Sequence, residues 1–457
     1  MPSVHIASRW GILALLLLAS CGGDSSPAPL ADRTAECSNE EAKRFVFTTM
    51  QDHYLWSDEP EQRSRFLATN LGEFEDDRDL LDFLRFRPAT YDRGFTYISS
   101  ASSENRQNAG RALSWGFLLA WEPDGSLRVQ EAIEGGPVAS AGVRRGWQLV
   151  SIDGRGVREL ARNDAIGEAL GYPDLAEGTT RTMDFIRTDG SAVSLTLSVD
   201  EFDVNPLPIV RIFENDGIQV GYVQLRSFVP PAVPAFEDAI IRFRLADVRR
   251  VIVDLRYNGG GALPVAEAIA GMLAGTRLEG AELYEMRFNQ RNSGSNQRGF
   301  LNARYDDRGL TAGDFEEVHF IGTQRSASAS ELLINGFRPW GEQVTTSLVG
   351  ERTFGKPVGQ AGIDYCNNFR RLRLVTFQTV NADGRGEFYN GLQPDCYAED
   401  DLQHPLGDAE EGLLASALSR VRLGRCVESI ARTTSVGSPA SRDILAEPIN
   451  GRYDGIL

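Results

Sequence analysis

Arg325–Gln360 reads R-S-A-S-A-S-E-L-L-I-N-G-F-R-P-W-G-E-Q-V-T-T-S-L-V-G-E-R-T-F-G-K-P-V-G-Q, and its two ends carry the chemistry. An apolar strand pattern, Val318 to Gly322, runs into the small residues and then into a helical pattern, which sets Ser328 at a strand-to-helix turn. The far end holds Lys356. Among 47 basic residues only Lys43 and Lys356 are lysines. A guanidinium keeps its proton at any usable pH, whereas an ammonium desolvated in an apolar pocket can lose it and serve as a base. A chain that writes arginine nearly everywhere, yet lysine after T-F-G, points to a residue there that can deprotonate. Small residues at a helix start are also ordinary capping chemistry, so the serine run acquires meaning only beside the lysine.

Upstream, R-R-V-I-V-D-L-R reads as a buried strand, followed by Y-N-G-G-G and the helical pattern L-P-V-A-E-A-I-A-G-M-L. The spacings of nucleotide-binding loops, G-x-G-x-x-G and G-x-x-x-x-G-K-[ST], are absent. Glycines here permit positive φ and let a carbonyl approach the backbone, while N–H groups at a helix start donate to an oxyanion. On that ground the backbone amides of Gly260 or its neighbour Gly261, with that of Ala329, form the expected oxyanion hole.

Three ordered blocks, D-L-R-x-N-x-G-G (Asp254–Gly261), S-A-S-A-S-E and T-F-G-K-x-x-x-Q, resemble the carboxyl-terminal processing peptidases, the S41 family of serine proteases. The resemblance implies Ser328 as nucleophile, Lys356 as its general base and Gln360 as the residue orienting the lysine. It also implies a ββα-spiral of the crotonase/ClpP type over residues 201–426, closed by Y-N-G-L-Q-P-D (Tyr389–Asp395) and a last helix in A-E-E-G-L-L-A-S-A-L-S-R-V. No metal or organic cofactor is implied. This chain departs from the family at Gly259, where a proline is usual, and in a somewhat longer stretch between Ser328 and Lys356. A lysine of reference pKa about 10.4 must be lowered by roughly three units to act near pH 7. The competing arrangement, Ser-His-Asp, would draw on His319 or His404, neither of which has a motif around it.

Residues 105–200 change to short β runs separated by Gly, Pro and Asp turns. E-G-G-P-V-A-S-A-G-V-R-R-G and the following W-Q-L-V-S-I-D-G resemble a PDZ domain, which takes a chain terminus as an added edge strand. Trp115, Gly116, Phe117 and Leu118 then form the carboxylate-binding loop. Trp147 stands where such domains usually have Asp. The alternative for this module is a spacer or lid.

Residues 37–104 show apolar residues at three and four spacing, the mark of amphipathic helices, through about Ser100. D-R-G-F-T-Y follows them, and His53 reads as structural. Before them, residues 1–20 have a positive n-region and a short apolar h-region, as a signal peptide does. L-A-S-C (Leu18–Cys21) looks like a bacterial lipobox with lipidation at Cys21, and residues 21–36 read as a polar tether. Gly22 and Asp24 lean to the outer membrane. Cys37, Cys366, Cys396 and Cys426 make two disulfides possible in an exported chain, with three pairings open. Cys366 with Cys396 is favoured, leaving Cys37 for Cys426. Asn289–Asp314 reads as a mobile surface insertion and residues 427–457 as a polar tail.

The fold class is therefore multidomain α/β, with a helical unit, a PDZ-like β domain and an S41 protease domain. A formal net charge of −17 and a pI near 4.9 argue against a nucleic-acid partner. The expected function is a lipid-anchored serine endopeptidase facing the periplasm, acting on protein or peptide substrates through their C-termini, with an adaptor or a homo-oligomer as further partners. The rivals are a silent peptide-binding scaffold and a Ser-Lys esterase or amidase.

Overall fold

The computed structural model describes residues 37–86, 91–215, 217–306, 309–310 and 313–426. The expected signal peptide, Cys21, the tether and the tail lie outside the described residues.

The strand of Asp254 and the strand leading to Ser328 are neighbours in one sheet. Its order is Ile209–Asn215, Ile218–Gln224, Arg250–Asp254, Glu317–Gly322, Thr345–Gly350 and Cys396–Tyr397. The first pair is antiparallel and the others parallel. Parallel strands covered on both faces read as unbroken apolar runs, and V-I-V and V-H-F-I are such runs. Their alternate side chains go to opposite faces. Val251, Val253, Val318 and Phe320 pack with helices Ala232–Leu245, Leu263–Ala274 and Ala329–Phe337. Ile252, Ile321 and Val349 pack with helix Gly412–Leu423.

A second, antiparallel sheet is built around the long strand Arg370–Val380. Val358–Tyr365, Tyr97–Ser100 and Glu282–Phe288 all pair with it, and Gln297–Phe300 joins the last of these. Tyr97–Ser100 is thus a strand, where the sequence pattern reads helical. Its main chain is claimed by Arg370–Arg373, a tertiary pairing that local periodicity does not record. Helices Asn39–His53, Pro60–Ala68 and Asp77–Leu84 follow the expected periodicity. Val46, Met50, Leu80 and Leu84 bury against Val358, Leu372 and Leu374, so this helical unit shares a core with the hairpin that carries Gln360.

The disulfides correct the expected pairing. Cys37 bonds Cys366 and Cys396 bonds Cys426, with Cα–Cα separations of 4.7 and 5.3 Å. The start of the first helix lies over the turn of the hairpin, and the chain leaving the last helix returns to the edge strand Cys396–Tyr397. Asn289–Asp314 is also more built-in than a surface insertion. Asn289 is buried and its Nδ2 donates to Tyr54 O and Ser57 Oγ, while Gln297–Phe300 extends the sheet.

Between these parts lies an antiparallel β module, with strands in the order Phe117–Trp121, Leu127–Ala132, Gln148–Ile152, Thr180–Ile186 and Ala192–Ser198. Leu127, Val129, Leu149, Ile152, Met183 and Phe185 form its core. Phe117–Trp121 is an edge strand of that sheet.

Candidate active site

Ser328 is the residue on which strand Glu317–Gly322 turns into helix Ala329–Phe337, at φ +56°, ψ −113°. A residue with a β-carbon held there costs on the order of 1–3 kcal/mol, and persists only where its surroundings enforce it. The other two serines of the run do the enforcing. Ser326 Oγ donates to Leu255 O at 2.8 Å and Ser330 Oγ to Asn258 O at 2.9 Å, both side chains being buried. Ala327 N–H donates to the same Asn258 carbonyl at 3.0 Å. The run is thereby stitched to the Asp254–Gly261 turn, and only its middle serine is left at the bend.

Two glycines permit the close approach. A β-carbon on Gly260, at φ +112°, would lie 2.8 Å from Ser328 Cβ and 3.1 Å from Ala329 N, and one on Gly261 would lie 2.4 Å from Phe228 O. Gly260 N–H itself donates to Asn258 Oδ1 at 2.9 Å. Of the two glycine amides named as oxyanion donors, Gly260's is therefore engaged inside the turn and Gly261's is the better placed in bonding terms. Among the described residues neither Gly261 N–H nor Ala329 N–H has a hydrogen-bond partner.

Glu331 was quoted in the motif without a role, and it ties the site together. Its carboxylate is fully buried and accepts four hydrogen bonds. Oε2 takes Ser328 N–H at 3.0 Å and Lys356 N–H at 2.7 Å; Oε1 takes Gly355 N–H and Thr353 Oγ1, both at 2.6 Å. One oxygen thus holds the main chains of Ser328 and Lys356 within two hydrogen-bond lengths of each other. Burial pushes the Glu331 carboxyl up, against the pull of the donors around it.

Lys356 is held on its other side. Nζ donates to Gln360 Oε1 at 2.7 Å and sits 5.6 Å from the centre of the Phe95 ring. Gln360 Nε2 donates in turn to Phe95 O. Desolvation, helped by the Arg373 guanidinium and opposed by Asp92 and Glu331, lowers the Lys356 ammonium from 10.5 to about 8. The structure brings Lys356 and Gln360 into direct contact; Nζ makes its hydrogen bond to Gln360, not to Ser328. Phe95, Asp92 and Arg93 belong to D-R-G-F-T-Y, whose share in the site the sequence reading missed. The available signal was an unusual aromatic and charged cluster just where the helical pattern stops.

The histidines fall elsewhere. His319 Nδ1 meets Ser347 Oγ at 2.6 Å and Nε2 meets Glu317 Oε2 at 2.9 Å, all within the parallel sheet. His404 pairs with Asp401, and His53 is exposed at the end of its helix. In the β module, Trp115 is buried with Nε1 donating to Leu170 O at 2.9 Å, and Gly116 N–H donates to Ser114 Oγ at 3.1 Å. Two of the four residues named for carboxylate binding are thus committed to internal bonds, while Phe117 and Leu118 open the edge strand. Arg325, three residues before Ser328, reaches that strand and donates to Leu119 O at 2.7 Å.

The family model for peptidase family S41 matches residues 219–398. Across 293 residues, 64% of this chain, it is 23% identical to the carboxy-terminal processing protease CtpA of Bacillus subtilis (strain 168), covering 57% of that protein. Across 251 residues, 53% of this chain, it is 28% identical to the chloroplastic carboxyl-terminal-processing peptidase 3 of Arabidopsis thaliana, covering 45% of it. The chain thus spans about half the length of these curated relatives. A solved structure assigned to the S41 proteases, from Bacteroides fragilis NCTC 9343, superposes with a TM-score of 0.61 at 21% identity, over 83% of this chain and 97% of that one, and shares its fold. All three motif blocks lie inside the matched segment, in order and folded onto one another, so the likeness to peptidase family S41 spans the candidate nucleophile, the candidate base and the glycine turn.

Proposed function

We propose that this protein is a serine endopeptidase in which Ser328 is the nucleophile and Lys356 the general base. The observation that carries the reading is the amine of Lys356, lowered to about 8 by burial and held by Gln360, on a main chain that shares one Glu331 oxygen with Ser328. With one N–H held by Gln360 Oε1, the neutral amine keeps its lone pair for the Ser328 hydroxyl. Lys356 takes the Ser328 proton as Oγ bonds to the scissile carbonyl carbon, and the carbonyl oxygen becomes an oxyanion facing Ala329 N–H and the Gly260–Gly261 turn. The Lys356 ammonium then gives its proton to the leaving nitrogen, the C–N bond breaks and an acyl-enzyme remains. Water, deprotonated by the same amine, releases the acyl group and restores Ser328. Each oxyanion donor is worth a few kcal/mol, about 100-fold in rate.

Residues 105–200 act as a PDZ-like module, taking a polypeptide C-terminus along the edge strand Phe117–Trp121, where it would displace Arg325 from Leu119 O. The chain is exported, lipidated at Cys21 and faces the periplasm. Carboxy-terminal processing is the activity in the names of the relatives above, and the match of residues 219–398 to peptidase family S41 supports extending it to this chain.

Cleavage of casein and of peptides with free or amidated C-termini, by wild type, Ser328→Ala and Lys356→Arg, tests this. Wild type alone is expected to cut, and to favour the free C-terminus. Equal cleavage by Ser328→Ala removes the protease reading; cleavage of p-nitrophenyl esters with none of peptides favours an esterase.

A further inference from the structure

We infer that Arg93, from the segment that follows the N-terminal helices, is a positioning residue for the Lys356 base. This deepens the proposed function and rests on Lys356 being the base.

The chain from Thr353 to Lys356 has no regular secondary structure of its own. Something else must fix it, because a base has to be held to well under an ångström of its working position. Its N–H side is fixed by Glu331, through Gly355 and Lys356. Its C=O side is fixed by Arg93. One guanidinium nitrogen, Nη2, donates to Phe354 O and to Gly355 O, each at 2.9 Å. The guanidinium carbon also lies over two rings, 4.8 Å from the centre of Phe354 and 5.4 Å from that of Phe95. Phe95 is the residue whose ring faces Lys356 Nζ and whose carbonyl holds Gln360.

Arg93 therefore grips the peptide just before the lysine and steadies the aromatic wall behind it. A planar group with several donors suits this double task, and an ammonium would meet it only in part. The segment is itself anchored. Asp92 accepts Tyr54 Oη at 2.6 Å and Thr96 N–H at 3.0 Å. The segment that follows the N-terminal helices thus helps to position the base, although it lies outside the three motif blocks.

Around Lys356 the charged groups are Arg373, whose guanidinium is paired with Glu104, together with Asp92, Glu331, Arg93 and, beyond Arg93, Arg352. Removing Arg93 frees the loop and lets more water reach the half-buried amine. Desolvation is the leading cause of its lowered value, so hydration moves the titration upward.

The chain's two lysines make the test direct. Full-length protein labelled with ε-13C lysine gives two side-chain signals, with Lys43 as the internal reference. In Arg93→Met the Lys356 titration is expected to rise by about one unit. For short peptides kcat is expected to fall about 10- to 100-fold with KM within about twofold, and the acid limb of the rate profile to move up with the lysine. Arg93→Lys is expected to recover part of each change. A Lys356 titration unchanged in folded Arg93→Met overturns the inference, whatever the activity. Should Arg93→Met not fold, the same titration of Arg93→Lys and Arg93→Gln decides: identity with wild type in both overturns it. If wild type cleaves nothing, the peptidase reading falls while the lysine titration still reports on Arg93.

Discussion

Among the described residues, a serine, a base and a carboxylate come together around Ser347 and around Ser328, and the array with the continuous hydrogen-bonded chain is the less suited to catalysis. Ser347, His319 and Glu317 form a continuous hydrogen-bonded chain of 2.6 and 2.9 Å. Yet His319 is fully buried and Ser347 is 3% exposed, on adjacent parallel strands in register with each other. Both side chains are sealed inside the sheet, so a peptide carbonyl has no way in. The Ser328 array has no direct hydrogen bond from base to nucleophile, but it has a bend at positive φ, backbone donors, a glycine turn against the serine and a base with a lowered titration. Access and electrostatics distinguish a site from a satisfied core histidine; hydrogen-bond lengths alone do not.

The largest predicted effect comes from removing each serine in turn. Ser328→Ala is expected to lower peptide turnover by about 10,000-fold or more. Ser347→Ala is expected to leave kcat within about twofold and to cost on the order of 1 kcal/mol in denaturant unfolding. The reverse pattern would move the chemistry to the sealed array.

Next come the two carboxylates. Glu331→Gln puts an NH2 group where a carboxylate now receives four donors, so a rate loss of about 100-fold and a stability loss of on the order of 2 kcal/mol are expected. Glu317→Gln, at a partly exposed position, is expected to leave the rate alone and cost on the order of 1 kcal/mol or less. Equal rate losses would mean that Glu331 does not organise the site.

The smallest effect is on stability, and it has the opposite sign. The folded Lys356 titrates near 8, below its ordinary 10.5. Below pH 8 the fold therefore bears the full cost of a desolvated ammonium, and the cost fades between pH 8 and 10.5 as the unfolded chain also loses its proton. Lys356→Met is expected to be inactive yet more stable at pH 7 by on the order of 2 kcal/mol, with the gain shrinking by pH 10. A loss of stability at pH 7 would contradict the buried amine.

Much of this was legible from residues alone. The strand-to-helix placement of Ser328 and the glycine turn follow from ordered local motifs, the strands of the β module from their alternation, and the Lys356–Gln360 pair from the family resemblance. What was not legible depends on long-range pairing. Tyr97–Ser100 joins a sheet whose partner lies far along the chain, so its local pattern was silent. Cys37 and Cys366 meet because a helix start lies over a hairpin turn. Arg93 and Phe95 acquire roles only because the helical unit folds onto that hairpin. Glu331 stood inside the quoted motif, but four donors from two segments converge on it, and no spacing rule counts those. Gly260 fits the turn as expected, while the use of its amide by Asn258 is visible only in the folded geometry.

The most direct test of the account is the titration of Lys356 in wild-type protein, followed by its ε-13C resonance from pH 6 to 11. A midpoint near 8 is predicted, with the acid limb of kcat/KM on a peptide substrate following it. A midpoint near 10.5, the value of a lysine in water, would contradict the proposal that this residue is the base.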